Sequence, residues 1–279
     1  MIRSMWSAVS GLRNHQIYLD VTGNNIANVN TTGYKSTRAV FEDSLSQVVR
    51  NASGPNVDNG VGGMNPSQIG LGVRLGQISG NFTQGGLQVT NVATDIAIQG
   101  DGFFIVDKGG QKFFTRNGAF SLDKEGYLVT GDGSYVMGDG PDATDASGAE
   151  KIQISAAAWQ NFQIAPNGTI SGVAVGDATG TLVDIGKIAL SKFNNPNGLE
   201  RVGGTMFKET LNSGSPELAF PADNEKGMGF VTAGTLEMSN VDLAGEFTNL
   251  IMAQRGFQAN SKVVSASDEV LQDLINMKR

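Results

Sequence analysis

Apolar side chains recur every seventh position at both ends of the chain: Met5, Leu12, Leu19 and Ile26 near the start, and Leu243, Leu250, Phe257, Val264 and Leu271 near the end. A repeat of this length lines one side of a helix with apolar groups and makes a seam that a second helix can cover. The spacing predicts a helix over residues 2 to about 30, stopped by the Thr/Asn/Gly cluster from Asn28 to Gly33. A second helix is predicted to begin near Asn240 or Asp242, either of which can cap it. The companion series of that helix is Phe247, Gln254, Ser261, Asp268 and Ile275, so three of its five positions are polar. Such a seam suits an isolated helix pair poorly, so either neighbouring copies complete it or one face stays in water.

Between the helices the period drops to two. Residues 73–78 and 95–99 alternate, and the apolar runs 103–106 and 112–115 are separated by Gly109-Gly110. Asn117-Gly118 and Asn167-Gly168 mark further turns, the second lying between two short runs that read as a hairpin. Short strands at regular intervals indicate an all-β sandwich or barrel-like body. Residues 51–72, rich in Gly, Asn and Ser and almost uncharged, read as a long loop, as do the small acidic segment 138–148 and residues 212–235. The fold class expected is therefore α+β. A discontinuous helical coiled-coil domain comes from 1–32 and 238–279, extended connections span 33–72 and 212–237, and a central mainly-β domain spans 73–211. Joining the ends of an insert of about 200 residues costs on the order of 5 kcal/mol. Two or three buried leucine-sized side chains, about 1.5–3 kcal/mol each, offset that.

Composition narrows the function. A net charge of -7 argues against nucleic acid, and no cluster of Lys or Arg marks a membrane surface. Cysteine is absent, which rules out disulfides, thiolate metal sites and cysteine nucleophiles. No apolar stretch approaches the roughly 18 residues that span a bilayer. Residues 1–14 hold Arg3 but no apolar core and no small-residue cleavage site, so no Sec signal is expected there. The one histidine, His15, sits beside Asn14 and Gln16 and reads as a polar surface or interface residue rather than a base or ligand. Asp139, Asp142 and Asp145 lack the alternating spacing of a calcium loop and read as a solvated turn. Gly70, Gly72 and Gly76 precede a strand rather than open a helix, which excludes a dinucleotide fingerprint. No catalytic residue, metal site or cofactor is expected, and the chain reads as an assembling subunit.

Three stretches carry a family resemblance. Residues 19–35, LDVTGNNIANVNTTGYK, resemble the N-terminal motif of bacterial flagellar rod and hook proteins, with Asn24, Asn25, Asn28 and Gly33 as its motif positions. Residues 236–243, LEMSNVDL, are similar to the start of that family's C-terminal helix, with Ser239, Asn240 and Val241 as motif positions. In the middle, 101–104 (DGFF) and 115–120 (TRNGAF) resemble its β region. Within the family, residues 254–261 (QRGFQANS) and the ending 274–279 look like hook proteins of the compact kind seen in some Gram-positive bacteria, with the distal rod protein as the alternative. The resemblance implies a non-enzymatic helical tube whose terminal helices pack around an export channel, with the β domain outside. As a hook it would be a universal joint carrying motor torque to the filament; as a distal rod, a rigid drive shaft. It further implies export by the flagellar type III apparatus to the extracellular part of the flagellum. The implied partners are copies of itself, the distal rod protein, the hook cap and the hook–filament junction proteins, with no membrane insertion. The lysine–cysteine cross-link of some hook proteins is excluded by the missing cysteine. Residues 51–72 are expected to slide between neighbours as a tube bends.

Overall fold

Both terminal helices form. The computed structural model describes residues 2–54, 62–140, 146–148, 150–155, 159–175, 181–223 and 225–277, and the chain divides into two units. The first comprises 1–27, 37–79 and 242–279; the second comprises 28–36 and 80–241.

In the first unit, α1 (Ile2–Ala27) lies against α2 (Leu243–Met277). Asp242 caps α2: its Oδ1 accepts the Ala244 N–H at 3.0 Å, and its carbonyl accepts the Glu246 N–H at 2.9 Å. Strands Thr37–Asp43 and Val73–Gly80 pair with each other, and the first packs on α1, where Tyr18 meets Phe41 edge-on at 5.7 Å. Strands Ser46–Arg50 and Ser67–Gly70 form an antiparallel hairpin exposed along its length. The extended connection expected over 33–72 contains three strands, and one of them, Ser67–Gly70, lies inside the stretch 51–72 expected to be loop, where it is held by pairing with Ser46–Arg50. Residues 55–61 of the Gly/Asn/Ser-rich loop lie outside the described residues.

The second unit is built on one large antiparallel sheet. Its central strand, Phe103–Lys108, is buried on both faces: Phe104 and Val106 enter one apolar cluster with Ile96, Leu128, Ile170 and Ile188, while Phe103 and Ile105 enter another with Phe114, Phe193 and Phe207. The Gly109-Gly110 hairpin forms as the sequence predicts. Both glycines have positive φ, 66° and 84°, and Lys108 pairs with Gln111 across a two-residue turn. Asn167-Gly168 likewise turns strand Trp159–Ile164 into strand Thr169–Ala174. The segment expected to be loop over 212–235 instead holds strands Glu217–Ala219 and Phe230–Ala233, followed by Thr235–Glu237. These segments are too short to show a period, but each finds an interior partner: Leu190 opposite Ala219, Ile98 opposite Val231. The boundary of the β unit falls accordingly at 241 rather than 211. The architecture is α+β.

Phe104 is fully buried and stacks edge-on against Phe120 at 5.1 Å. Phe104→Ala is expected to lower unfolding stability by about 3–5 kcal/mol, measured as a shift in the urea midpoint with unchanged slope.

Candidate assembly surface

The helix pair is held together by small and polar residues. On α1 the buried line is Ala8, Gly11, Asn14, Thr22 and Asn25, with His15 and Tyr18 half-buried between them. A Cβ added to Gly11 would lie 2.7 Å from the side chain of Asn260, and one added to Gly256 would clash with the ring of His15. At the other end, Asn25 Nδ2 donates to Glu246 Oε1 at 3.0 Å. These three pairings share one antiparallel register. The glycines let the two backbones approach closely, and His15 lies in this line against Gly256 rather than on open surface.

The apolar sevenfold series lies beside that line. Met5, Leu12, Leu19 and Ile26 are all half-buried, as are Leu250, Val264 and Leu271, while Leu243 and Phe257 are exposed. Exposed as well are Trp6, Phe247, Ile251, Met252 and Ile275. Two helices that bury glycine, alanine and asparagine against each other therefore present their large apolar side chains elsewhere.

The motif positions are mostly intrachain fasteners. Asn25 pairs with the backbone of Thr37 in both directions, accepting its N–H at 3.0 Å and donating to its carbonyl at 2.8 Å. Asn24 is exposed. In the second unit, Asn28 Oδ1 accepts Thr31 Oγ1–H at 3.1 Å. Gly33 has φ 67°, its N–H donates to the Glu237 carbonyl at 2.7 Å, and a Cβ there would strike the backbone of Arg116 and Asn117, so only glycine fits. Asn240 Oδ1 accepts the Ser36 N–H at 2.8 Å, and its Nδ2 donates to the carbonyls of Asn81 and Thr83. Ser239 Oγ accepts the Val241 N–H at 3.3 Å, and Val241 is half-buried.

Sequence reasoning missed the ion cluster beside these fasteners. Glu237 is fully buried. Its Oε1 accepts Lys35 Nζ–H at 2.6 Å and the Gly85 N–H at 2.9 Å, and its Oε2 accepts from Arg116 at 3.3 Å. Lys35 Nζ also donates to the Thr83 carbonyl at 2.8 Å, and Arg116 to the Gly100 carbonyl at 2.7 Å. Burial pulls the Lys35 ammonium below its ordinary range, against the opposing pull of Glu237. The available signal was that Lys35, Arg116 and Glu237 each lie within one of the three motif stretches, which meet at this carboxylate. Among the described residues no cluster of acidic or histidine side chains is arranged to hold a metal; Asp142 and Asp145 of the acidic loop lie outside them. No described helix is long and apolar enough to cross a membrane.

Residues 5–35 match the family described as flagella basal body rod protein, residues 97–172 the flagellar hook protein FlgE/F/G D1 domain, and residues 232–277 the flagellar basal body rod FlgEFG protein C-terminal region. The flagellar basal-body rod protein FlgG of Bacillus subtilis is 45% identical over 280 residues, covering all of both chains. The protein of the same name from Borreliella burgdorferi is 38% identical, again over the whole of both. The flagellar hook protein FlgE of Borreliella burgdorferi is 28% identical in an alignment of 448 positions that also covers both chains.

Glu237→Gln leaves two buried cations without their counter-charge and is expected to cost about 3–5 kcal/mol of stability. Glu42→Gln, which breaks the exposed pair with Arg74 at 3.1 Å, is expected to cost under about 1 kcal/mol. Urea titration of the two variants side by side checks the difference.

Proposed function

The chain belongs to the FlgE/F/G family of flagellar rod and hook proteins, and on that premise we propose that it builds the distal rod, the stiff shaft of the flagellar basal body. It is a structural subunit, not an enzyme. The observation that carries the rod reading is similarity over the full length of both chains to the two FlgG proteins, at 45% and 38%. The hook relative aligns over 448 positions against 279 residues here, so it carries chain that has no counterpart in this protein. The hook-like octapeptide 254–261 is a short stretch of α2, and the expectation of a hook gives way to the full-length comparison.

The physical logic of a shaft suits the first unit. The inner line of the helix pair is closed by glycine contacts and by the Asn25–Thr37 and Asn25–Glu246 hydrogen bonds. Its large apolar side chains are left for neighbouring copies. Contacts between unlike surfaces that do not close a ring generate an open helical filament. In this reading Met5, Leu12, Leu19 and Ile26, with Leu243, Leu250, Phe257, Val264 and Leu271, cover one another between subunits around an export channel. The export route is the flagellar type III apparatus, and the partners are the hook protein beyond and the other rod subunits below.

Deleting the gene separates the two readings. Loss of a distal rod protein is expected to halt assembly before the rod is complete, whereas isolated basal bodies with finished rods but no hooks would return the chain to the hook reading. Leu250→Asp and Phe257→Asp place charge on the apolar flank. Both are expected to abolish tube formation by electron microscopy while the urea midpoint of the β unit stays put; normal tubes from either would remove the proposed flank.

A further inference from the structure

The two helices pair in a definite register, and that register leaves one end of α2 alone. Gly11 faces Asn260, His15 faces Gly256, and Asn25 bonds Glu246. Between these pairs α1 advances by as many residues as α2 retreats, so the helices run antiparallel without slip. Carried back to Ile2, where α1 begins, the register sets that residue opposite Glu269. Residues 270–277 of α2 therefore run on past the start of α1, about 12 Å at 1.5 Å per residue. In this stretch only Leu271 is half-buried, while Val270, Leu274, Ile275 and Met277 are exposed.

The opposite end of α2 carries a matching strip. Leu243, Phe247 and Ile251 stand four residues apart, exposed along one side of the helix, and also cover about 12 Å. Arg255 follows one turn on, exposed, with Nη1 donating to Gln258 Oε1 at 3.4 Å. Val270 and Leu274 are likewise four apart, with the exposed carboxylate of Asp273 beside them. Two copies of α2 laid side by side in the same direction can place Val270 against Phe247 and Leu274 against Ile251, the seam of a parallel coiled coil. Asp273 then stands just before one seam position and Arg255 four residues after its counterpart. That is the flanking relation through which such helices exchange salt bridges. Glu246, level with Glu269 in this lap, is turned inward to Asn25 of its own chain.

We propose that the free C-terminal end of α2 in one copy laps the Leu243–Ile251 strip of a second copy, head to tail, with Asp273 paired to Arg255. The two surfaces lie at opposite ends of one helix, so each contact leaves one strip and one free end open, and the row continues. Successive copies are displaced by about 35 Å along the helix. This rests on the reading that copies of the chain assemble, and it names a contact and a spacing within that assembly.

The chain has no cysteine, so a chain carrying both Gln254→Cys and Met277→Cys holds only those thiols. They lie about 35 Å apart on one helix, too far for a short bismaleimide to bridge within a chain. Treated during assembly, this variant is expected to give a ladder of adducts of two chains, three and upward, while either cysteine alone gives none. A product that stops at two chains would mark a closed pair and overturn the head-to-tail lap. In parallel, Arg255→Glu is expected to raise the critical concentration for assembly about fivefold, and adding Asp273→Arg to restore the wild-type value. Both side chains are exposed, so the urea midpoint of the unassembled chain stays put. Normal tubes from Arg255→Glu, with no ladder, would overturn the lap and leave the assembly reading standing. A ladder from chains that never form tubes would uphold the lap and remove the tube.

Discussion

The carboxylate of Glu237 is the point from which the order of the β unit follows. Two cations, Lys35 and Arg116, are buried with it, and each is tolerable only because the acid stands within hydrogen-bonding distance. The three side chains come from the segment that enters the unit, from its middle and from the segment that leaves it. The carboxylate also takes the Gly85 N–H, while its backbone carbonyl takes that of Gly33. These bonds join the segments 28–36 and 236–241, and Asn240 ties them again through Ser36, Asn81 and Thr83. An ion cluster of this kind specifies geometry more than it adds stability, because desolvation consumes most of the Coulombic gain.

The helices obey a different constraint. Their backbones are brought close at Gly11, which faces Asn260, and at Gly256, which makes room for the His15 ring. The inner line is therefore filled by Ala8, Thr22, Asn25 and Ala253, and the leucines, valines and phenylalanines are displaced to the flanks. Pairing within the chain and display outside it are the same structural fact. Had the inner line been leucine, the pair would sit further apart and carry less apolar surface for neighbours.

Much of this was legible in the sequence, and the failures have definite causes. The two helices, the Gly109-Gly110 and Asn167-Gly168 hairpins and the mainly-β middle follow from period and turn chemistry, which are local. The strands at 217–219 and 230–233 did not, because three or four residues cannot display a period and their pairing is set by distant partners. The sevenfold apolar series is visible, whereas the line Ala8, Gly11, Asn14, Thr22 and Asn25 that packs within the chain is small and polar and leaves no mark on the hydropathy pattern. Lys35, Arg116 and Glu237 were in plain view inside the motif stretches. A single lysine or glutamate, however, looks the same in sequence whether it ends in water or in an apolar core, and only the fold brings the three together.

The division of labour between the two units has an energetic reason. A buried charge cannot wait for a neighbouring molecule to supply its partner, since leaving it unpaired costs several kcal/mol for as long as the chain is alone. Every member of the Glu237 cluster is accordingly covalently part of one chain. Apolar surface can wait: a leucine in water forgoes about 1.5–3 kcal/mol, which a later contact recovers. A subunit that must fold before it meets its neighbours should therefore satisfy its buried ions internally and keep its unfinished business apolar. The β unit, which pairs Lys35 and Arg116 with Glu237 inside one chain, and the helices, with their exposed apolar side chains, fall on the two sides of that line.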